Sequence, residues 1–187
     1  MITQIDTLEY HNIINRLRNF FIDRGFIEVP VSIQLGCLNA CEDPDTVSKF
    51  TFAGKEFPLA QTGQVILESE ILSHPELEKV FCLSTSFRDE KFPIEGRHNK
   101  IFPMIEWEEK GDVNTLINLE IELVSYLGFT DKPVFLKYKD MCEKYSVSTL
   151  EAKHETLMQN EYGNVIFLTN FVQESSPFFN MKKNEDG

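Results

Sequence analysis

The sequence has little positive charge. Its 187 residues carry 18 lysines and arginines against 30 aspartates and glutamates, which gives a formal net charge of −12. Non-specific binding to a nucleic-acid backbone depends on basic side chains that neutralise phosphates, so this composition argues against it. Hydrophobic residues make up 42% of the chain and charged residues 26%. These values are typical of a globular protein and exclude a disordered one.

The sequence also lacks long apolar runs and paired cysteines. No hydrophobic stretch reaches the roughly 18 residues of a membrane span, and Met1–Glu9 has neither the basic nor the apolar region of a signal peptide. The four cysteines include no C-x-x-C pair, which indicates free thiols in a reducing cytoplasm. His11, His74 and His154 are too far apart for a metal site, so we expect surface histidines. The sequence therefore predicts a cytoplasmic protein with no membrane segment and no metal ligands of its own.

Hydrophobic periodicity predicts an α+β fold. Asp6 can cap a helix from Leu8 to Arg24, which Gly25 ends before a strand at Phe26–Val29. Strands dominate the middle of the chain and helices the edges, which favours an antiparallel β-sheet flanked by helices. The remaining predicted elements are a hairpin of Lys49–Phe52 and Glu56–Ala60, helices at Gly63–Ser73, Val113–Leu127 and Lys139–Tyr145, and strands at Lys79–Ser84, Ile101–Trp107 and Val165–Thr169.

The densest group of reactive side chains runs from Ser86 to Glu108, as a strand, a charged loop and a returning strand. Arg88 on the first strand can fork onto a carboxylate or a phosphate. Arg97 and His98 in the loop can reach further phosphate oxygens, and Phe102 can stack on a planar base. Taken singly, each of these residues could equally belong to a solvent-exposed hairpin with surface ion pairs and no binding function. The order of the whole set argues for a binding site.

The returning strand carries an acidic pair. Glu106 and Glu108 share one face of the strand, because side chains alternate with a period of two. Trp107 lies between them, so we expect it to pack into the opposite face. An acidic face opposite an apolar one is consistent with a strand that lines a site.

The order of these residues resembles motif 2 of the class II aminoacyl-tRNA synthetases, in which an F-R-x-E strand leads through a loop to R-H, a phenylalanine and an acidic pair. Three further segments are similar to the same family, in the same order. Leu17–Val31 resembles motif 1, the helix and strand of the dimer interface. Thr62–Glu68 is similar to the S-G-Q-L-x-x-E segment of the asparaginyl branch, and Cys41-Glu42 to its C-E pair. Phe167–Phe179 resembles the late strand and P-F-Y turn of the aspartyl, asparaginyl and lysyl subclass.

The resemblance covers nearly the whole chain. It implies one class II synthetase-like catalytic domain over residues 1–187, with motif 1 at about 8–31 and motif 2 at about 80–108. Its chemistry would be the formation of an aminoacyl adenylate from ATP, with Mg²⁺ bridging the phosphates. That reaction needs no protein nucleophile, because two bound reactants are aligned for in-line displacement at phosphorus.

The family pattern also implies residue roles. Arg88 would be the catalytic residue, holding the α-phosphate and the substrate carboxylate and stabilising the charge that develops between them. The other implied roles are ATP binding by Glu90, Arg97, His98 and Phe102, amino-acid binding by Gln64, Glu106 and Glu174, and dimer contacts by Phe21 and Pro30.

Three departures from the family pattern bear on the function. No arginine follows Arg97 and no G-x-G-x-x-R occurs, so motif 3 and the late acidic Mg²⁺ ligands are expected outside this chain, whose fold would be incomplete at its C-terminus. No anticodon-binding OB-fold precedes the first helix, which argues against tRNA as a partner. Leu67 stands where aspartate-activating members have a lysine, which favours asparagine or another neutral amino acid.

The sequence therefore predicts ATP-dependent amino-acid activation by a homodimeric, asparaginyl-type ligase that uses ATP and an asparagine-like substrate. Two alternatives stay open. One is a non-catalytic synthetase paralogue or fragment that acts as a binding or dimerisation module, which the missing motif 3 favours. The other is a synthetase-related asparagine synthetase. The retained set of Arg88, Glu90, His98 and Phe102 favours an enzyme.

Overall fold

The structure is a computed structural model that describes residues 5–31 and 44–172. The chain divides into two compact units, Met1–Asp112 and Val113–Gly187. Several predicted features lie outside the described residues. These are Cys37, the Cys41-Glu42 pair, Glu174 and the Pro177–Phe179 turn.

The elements of the first unit are α1 (Thr7–Ile22), β1 (Ile27–Glu28), a 3-10 helix (Pro44–Thr46), β2 (Lys49–Phe52), β3 (Lys55–Pro58), α2 (Gln64–Ser73), β4 (Lys79–Phe87) and β5 (Ile101–Glu109). Three of the strands form a sheet with the order β1-β4-β5. Its central strand, β4, runs parallel to β1 and antiparallel to β5. A separate antiparallel hairpin, β2–β3, precedes α2.

Local signals set both ends of α1. The side chain of Asp6 accepts a hydrogen bond from the backbone N–H of Glu9 at 2.8 Å, which satisfies one of the free donors of the first turn. At the other end Gly25 adopts a φ of +81°, and the N–H of Phe26 donates to the carbonyl of Phe21 at 3.1 Å. This left-handed residue closes the helix as the sequence predicts.

The hairpin β2–β3 turns at Ala53 and Gly54, which have φ values of +50° and +74°. Two positive φ values at the centre of a two-residue turn match the right-handed twist of the flanking strands. Phe50 on β2 lies opposite Phe57 on β3, with 5.8 Å between the ring centroids. The predicted hairpin is confirmed.

Phe21 lies at the centre of an aromatic cluster between α1 and one face of the sheet. Its ring centroid is 5.1 Å from that of Phe26 and 5.2 Å from those of Phe81 and Trp107. The side chain of Phe21 has 0% exposure, so it is not available as a direct dimer contact, contrary to the implied role. Pro30, after the end of β1, is exposed. The expectation that Trp107 packs into the face opposite the glutamates is confirmed.

α2 packs near Val29, Val80 and Cys82, which are buried with its Leu67 in one apolar cluster. Leu67 is completely buried. A side chain in the core does not itself line an open pocket, so the expectation of a neutral substrate depends on the absence of a lysine at this position and not on a contact from Leu67. The helical period places Leu67 on the buried side of α2, one turn after Gln64.

The second unit contains α3 (Val113–Leu127), β6 (Val134–Lys137), α4 (Tyr138–Tyr145), α5 (Ala152–Tyr162) and β7 (Ile166–Thr169). β6 and β7 pair in parallel. Leu119 and Leu123 of α3 are buried, whereas Leu116 is 44% exposed. No helix in residues 5–31 and 44–172 is long and apolar enough to cross a membrane.

His154 is a structural residue of α5. It is 5% exposed, and its Nδ1 accepts the N–H of Glu151 at 2.8 Å in a reciprocal capping box. Its ring stacks on Tyr145 with 5.6 Å between centroids. The prediction of a surface histidine is wrong here, although His11 and His74 are exposed as expected.

Candidate functional site

The site lies on the β4–β5 hairpin. The two strands pair without interruption from Lys79↔Glu109 to Phe87↔Ile101, and the loop 88–100 joins them. Because side chains alternate between the two faces of a strand, this register places one set of polar side chains on the face away from Trp107. That set is Cys82, Ser84 and Ser86 on β4 and Glu106 and Glu108 on β5. The prediction that Glu106 and Glu108 share a face is confirmed by their bonds to neighbouring residues of one segment, residues 62–64.

Arg88 follows directly after β4. Its backbone N–H donates to the carbonyl of Lys100 at 2.8 Å, and its Cζ lies 5.4 Å from the ring centroid of Phe102. The Nε atom is buried and has no hydrogen-bond partner within the described residues. A buried, unsatisfied donor is costly. An anion beside the guanidinium, such as a carboxylate or phosphate, would supply the missing acceptor.

The loop 88–100 carries the other residues of the predicted nucleotide site. His98 Nδ1 lies 2.6 Å from Glu90 Oε2, and Lys100 Nζ lies 2.6 Å from Asp89 Oδ1. Arg97 is exposed in the same loop. The structure therefore places these side chains at one end of the hairpin, where His98 is paired with Glu90.

Glu106 is held between the sheet and the start of α2. Its Oε2 accepts the N–H of Gly63 at 2.8 Å and the hydroxyl of Ser84 at 2.6 Å, and its Oε1 accepts the hydroxyl of Thr62. The N-terminus of a helix favours a negative charge, because its N–H groups and dipole point toward it. Thr62 and Ser84 were not predicted as site residues. Thr62 precedes a predicted helix and Ser84 ends a predicted strand, but no nearby residue indicates that both bond to Glu106.

Cys82 borders the same carboxylate, with its Sγ 3.9 Å from Glu106 Oε2. Burial, together with the nearby charge of Glu106, raises the pKa of this thiol to about 12. The thiol therefore stays protonated at neutral pH and can donate weakly to Glu106. It is not a reactive cysteine.

Gln64 bonds the second glutamate, with its Nε2 3.0 Å from Glu108 Oε1. Burial raises the pKa of Glu108, and the charges of Glu68 and Glu106 raise it further, while the bond from Gln64 opposes the shift. This concentration of negative charge suits a cationic group such as an ammonium. In the described part of the chain, no group of three or more histidine, cysteine, aspartate or glutamate side chains is placed to hold a metal ion.

The model of the class II tRNA synthetase family (D, K and N) matches residues 7–187. The chain belongs to this family. It is 26% identical over 195 residues to the asparagine–tRNA ligase of Pelotomaculum thermopropionicum, an alignment that covers 87% of this chain and 44% of that protein. It is 34% identical over 100 residues to the asparagine–tRNA ligase of Sorangium cellulosum, covering 52% of this chain and 21% of that protein.

Solved structures agree on the fold of this class II core. Asparaginyl-tRNA synthetase from Pyrococcus horikoshii, complexed with asparaginyl-adenylate, matches with a TM-score of 0.79 and 23% identity over 95% of this chain and 46% of its own. The Entamoeba histolytica enzyme, also in complex with asparaginyl-adenylate, matches with a TM-score of 0.72 and 20% identity over 88% and 43%. The α+β, asparaginyl-tRNA synthetase-like fold is thus confirmed. The chain spans under half the length of these relatives.

Proposed function

We propose that this chain is the amino-acid-activating part of an asparaginyl-type class II ligase. In the reaction, an oxygen of the amino-acid carboxylate bonds to the α-phosphorus of ATP, and the bond from that phosphorus to pyrophosphate breaks. The observation that carries the proposal is the guanidinium of Arg88 beside Phe102, whose buried Nε finds no hydrogen-bond partner among residues 5–31 and 44–172.

Arg88 would bind both reacting groups. A fixed guanidinium can donate to the substrate carboxylate and to an α-phosphate oxygen together, and it stabilises negative charge as the new bond forms. Phe102 would stack on the adenine, with Glu90 beside it. Arg97 and His98 would reach the outer phosphates. Mg²⁺ would neutralise those phosphates, with protein ligands outside the described residues.

Gln64 and Glu106 would hold the substrate α-ammonium. Oε1 of Glu106 accepts one hydroxyl from the described residues, so it has capacity for a further donor. The proposed substrate is asparagine, which the names of the curated relatives support. Glu174, outside the described residues, would contact the substrate side chain. We further propose a cytoplasmic homodimer with Pro30 in its interface.

The test is binding of the sulfamoyl analogue of asparaginyl-adenylate to the 187-residue chain, measured by calorimetry. Arg88→Ala should weaken binding about ten- to a hundredfold, because each hydrogen bond to a charged group contributes about 1.5–3 kcal/mol. Arg24→Ala is the matched control. It removes a guanidinium that donates to the Phe20 carbonyl at 3.0 Å in a partly buried contact, so ligand affinity should not change.

Each result decides between functions. Tight binding that depends on Arg88 supports activation, and pyrophosphate exchange with a panel of amino acids then identifies the substrate. Wild-type chain that does not bind the analogue contradicts activation and favours the binding or dimerisation module. Equal binding by wild type and Arg88→Ala removes Arg88 from the site.

A further inference from the structure

We propose that Ser84 is a positioning residue for the amino-acid subsite, which holds the carboxylate of Glu106 in the orientation that receives the substrate α-ammonium. The inference rests on the proposed function. It concerns a residue that touches Glu106 and not the substrate.

Ser84 connects the carboxylate of Glu106 to strand β4 by a hydrogen bond. Its Oγ donates to Oε2 at 2.6 Å, whereas the other close donors, from Thr62 and Gly63, come from the segment that leads into α2. Ser84 pairs with Met104 and Cys82 with Glu106, so Ser84 is the diagonal neighbour of Glu106 on the same face. The hydroxyl therefore fixes the carboxylate relative to the strand that leads to Arg88.

The donors are divided unequally between the two carboxylate oxygens. Oε2 accepts the Gly63 amide and the Ser84 hydroxyl and borders the Cys82 thiol, which fills its hydrogen-bonding capacity. Oε1 accepts the Thr62 hydroxyl and can take one more donor. This division presents Oε1 to a ligand. Without the Ser84 hydroxyl, Oε2 regains a free lone pair, and the carboxylate can rotate about its last bond.

Ser86 provides a matched control. It lies two residues further along β4 on the same face, is completely buried, and donates to the carbonyl of Gln61 at 2.8 Å. Ser86→Ala therefore removes a serine hydroxyl from the same strand but keeps the hydrogen bond between Ser84 and Glu106. A loss that comes only from a weakened strand should occur in both variants.

The experiment compares two ligands on the intact 187-residue chain: the asparaginyl sulfamoyl adenosine analogue and the same compound without its α-amino group. Wild type should prefer the aminated ligand. Ser84→Ala should reduce that preference about tenfold, the scale of one lost hydrogen bond to a charged group. It should leave the affinity for the desamino ligand unchanged. Ser84→Thr keeps the hydroxyl and should restore the preference, and Ser86→Ala should retain it.

Two results overturn the role of Ser84 alone: a preference that survives Ser84→Ala, or an equal loss of affinity for both ligands. A wild-type chain that binds both ligands equally contradicts the amine subsite of the proposed function, and the role of Ser84 with it. Thermal unfolding monitored by circular dichroism establishes that each variant is folded before its affinity is compared.

Discussion

Replacing Gly63 with alanine should destabilise the protein through a steric clash. The backbone of Gly63 has φ −90° and ψ −1°, which any L-residue adopts. An added Cβ would lie 2.8 Å from Cys82 Sγ and 3.2 Å from both Glu106 Oε2 and Val31 Cγ1. Cys82 is completely buried and cannot move aside freely. Overpacking of this kind costs about 1–3 kcal/mol in free energy of unfolding.

Gly54 separates this effect from backbone strain. A Cβ at Gly54 would meet no atom of the described residues within 4 Å, but φ is +74°. Gly54→Ala should therefore cost about 1–2 kcal/mol through its left-handed backbone. Urea denaturation followed by circular dichroism measures both variants, each alone and combined with Cys82→Ala. Removing the thiol relieves the clash at Gly63, so that pair should deviate from additivity by about 0.5–3 kcal/mol. The Gly54 pair should be additive within about 0.5 kcal/mol.

Two results would refute this reasoning. One is a Gly63→Ala variant as stable as wild type. The other is a cost at Gly63 that Cys82→Ala leaves unchanged, which would place the strain elsewhere than at the thiol.

Three further predictions concern Glu108, Phe21 and Pro30. The raised pKa of Glu108 means that the folded state binds its proton more tightly than the unfolded chain, so this contribution to stability is lost as the pH rises through that raised pKa. Glu108→Gln should therefore be at least as stable as wild type at neutral pH, and it should lose any advantage below the ordinary glutamate pKa of 4.5. Thermal unfolding of both proteins across pH measures this difference. A stability advantage of the variant that grows on acidification would contradict the prediction. Phe21→Ala should cost about 3–5 kcal/mol in unfolding free energy. Pro30→Ala should stay within about 0.5 kcal/mol of wild type in stability but weaken dimerisation, as measured by sedimentation. Unchanged dimerisation would remove Pro30 from the interface.

The helix and strand predictions succeeded where the signal is local. The cap at Asp6, the turn at Gly25 and the bounds of α3 are set by residues within a few positions of one another, so they can be predicted from sequence. β6 was missed because it runs directly into α4 at Tyr138, with no turn residue between the two elements to mark its end. α5 was missed because its cap is a reciprocal Glu151–His154 pair and not the usual serine, threonine, aspartate or asparagine.

The site was predictable in its order and not in its contacts. The residues of the hairpin end stand close together in sequence, so their spacing carries information. The partners of Glu106 come from positions 22 to 44 residues away, and nothing local in Thr62 or Ser84 indicates them. The surroundings of Phe21 and Leu67 could not be predicted either, because an apolar residue does not specify which surface will cover it.

The register of the β4–β5 hairpin divides this part of the chain into positions that tolerate changes of length and positions that do not. Inserting one residue into a strand reverses every side chain beyond it, and an insertion into β5 before Glu106 would turn Trp107 toward α2 and Glu106 toward Phe21. Insertions in the loop 88–100 leave the strand pairing intact. Natural variation in length should therefore collect in that loop, so the reach of its charged side chains can evolve while the polar face around Glu106 stays fixed.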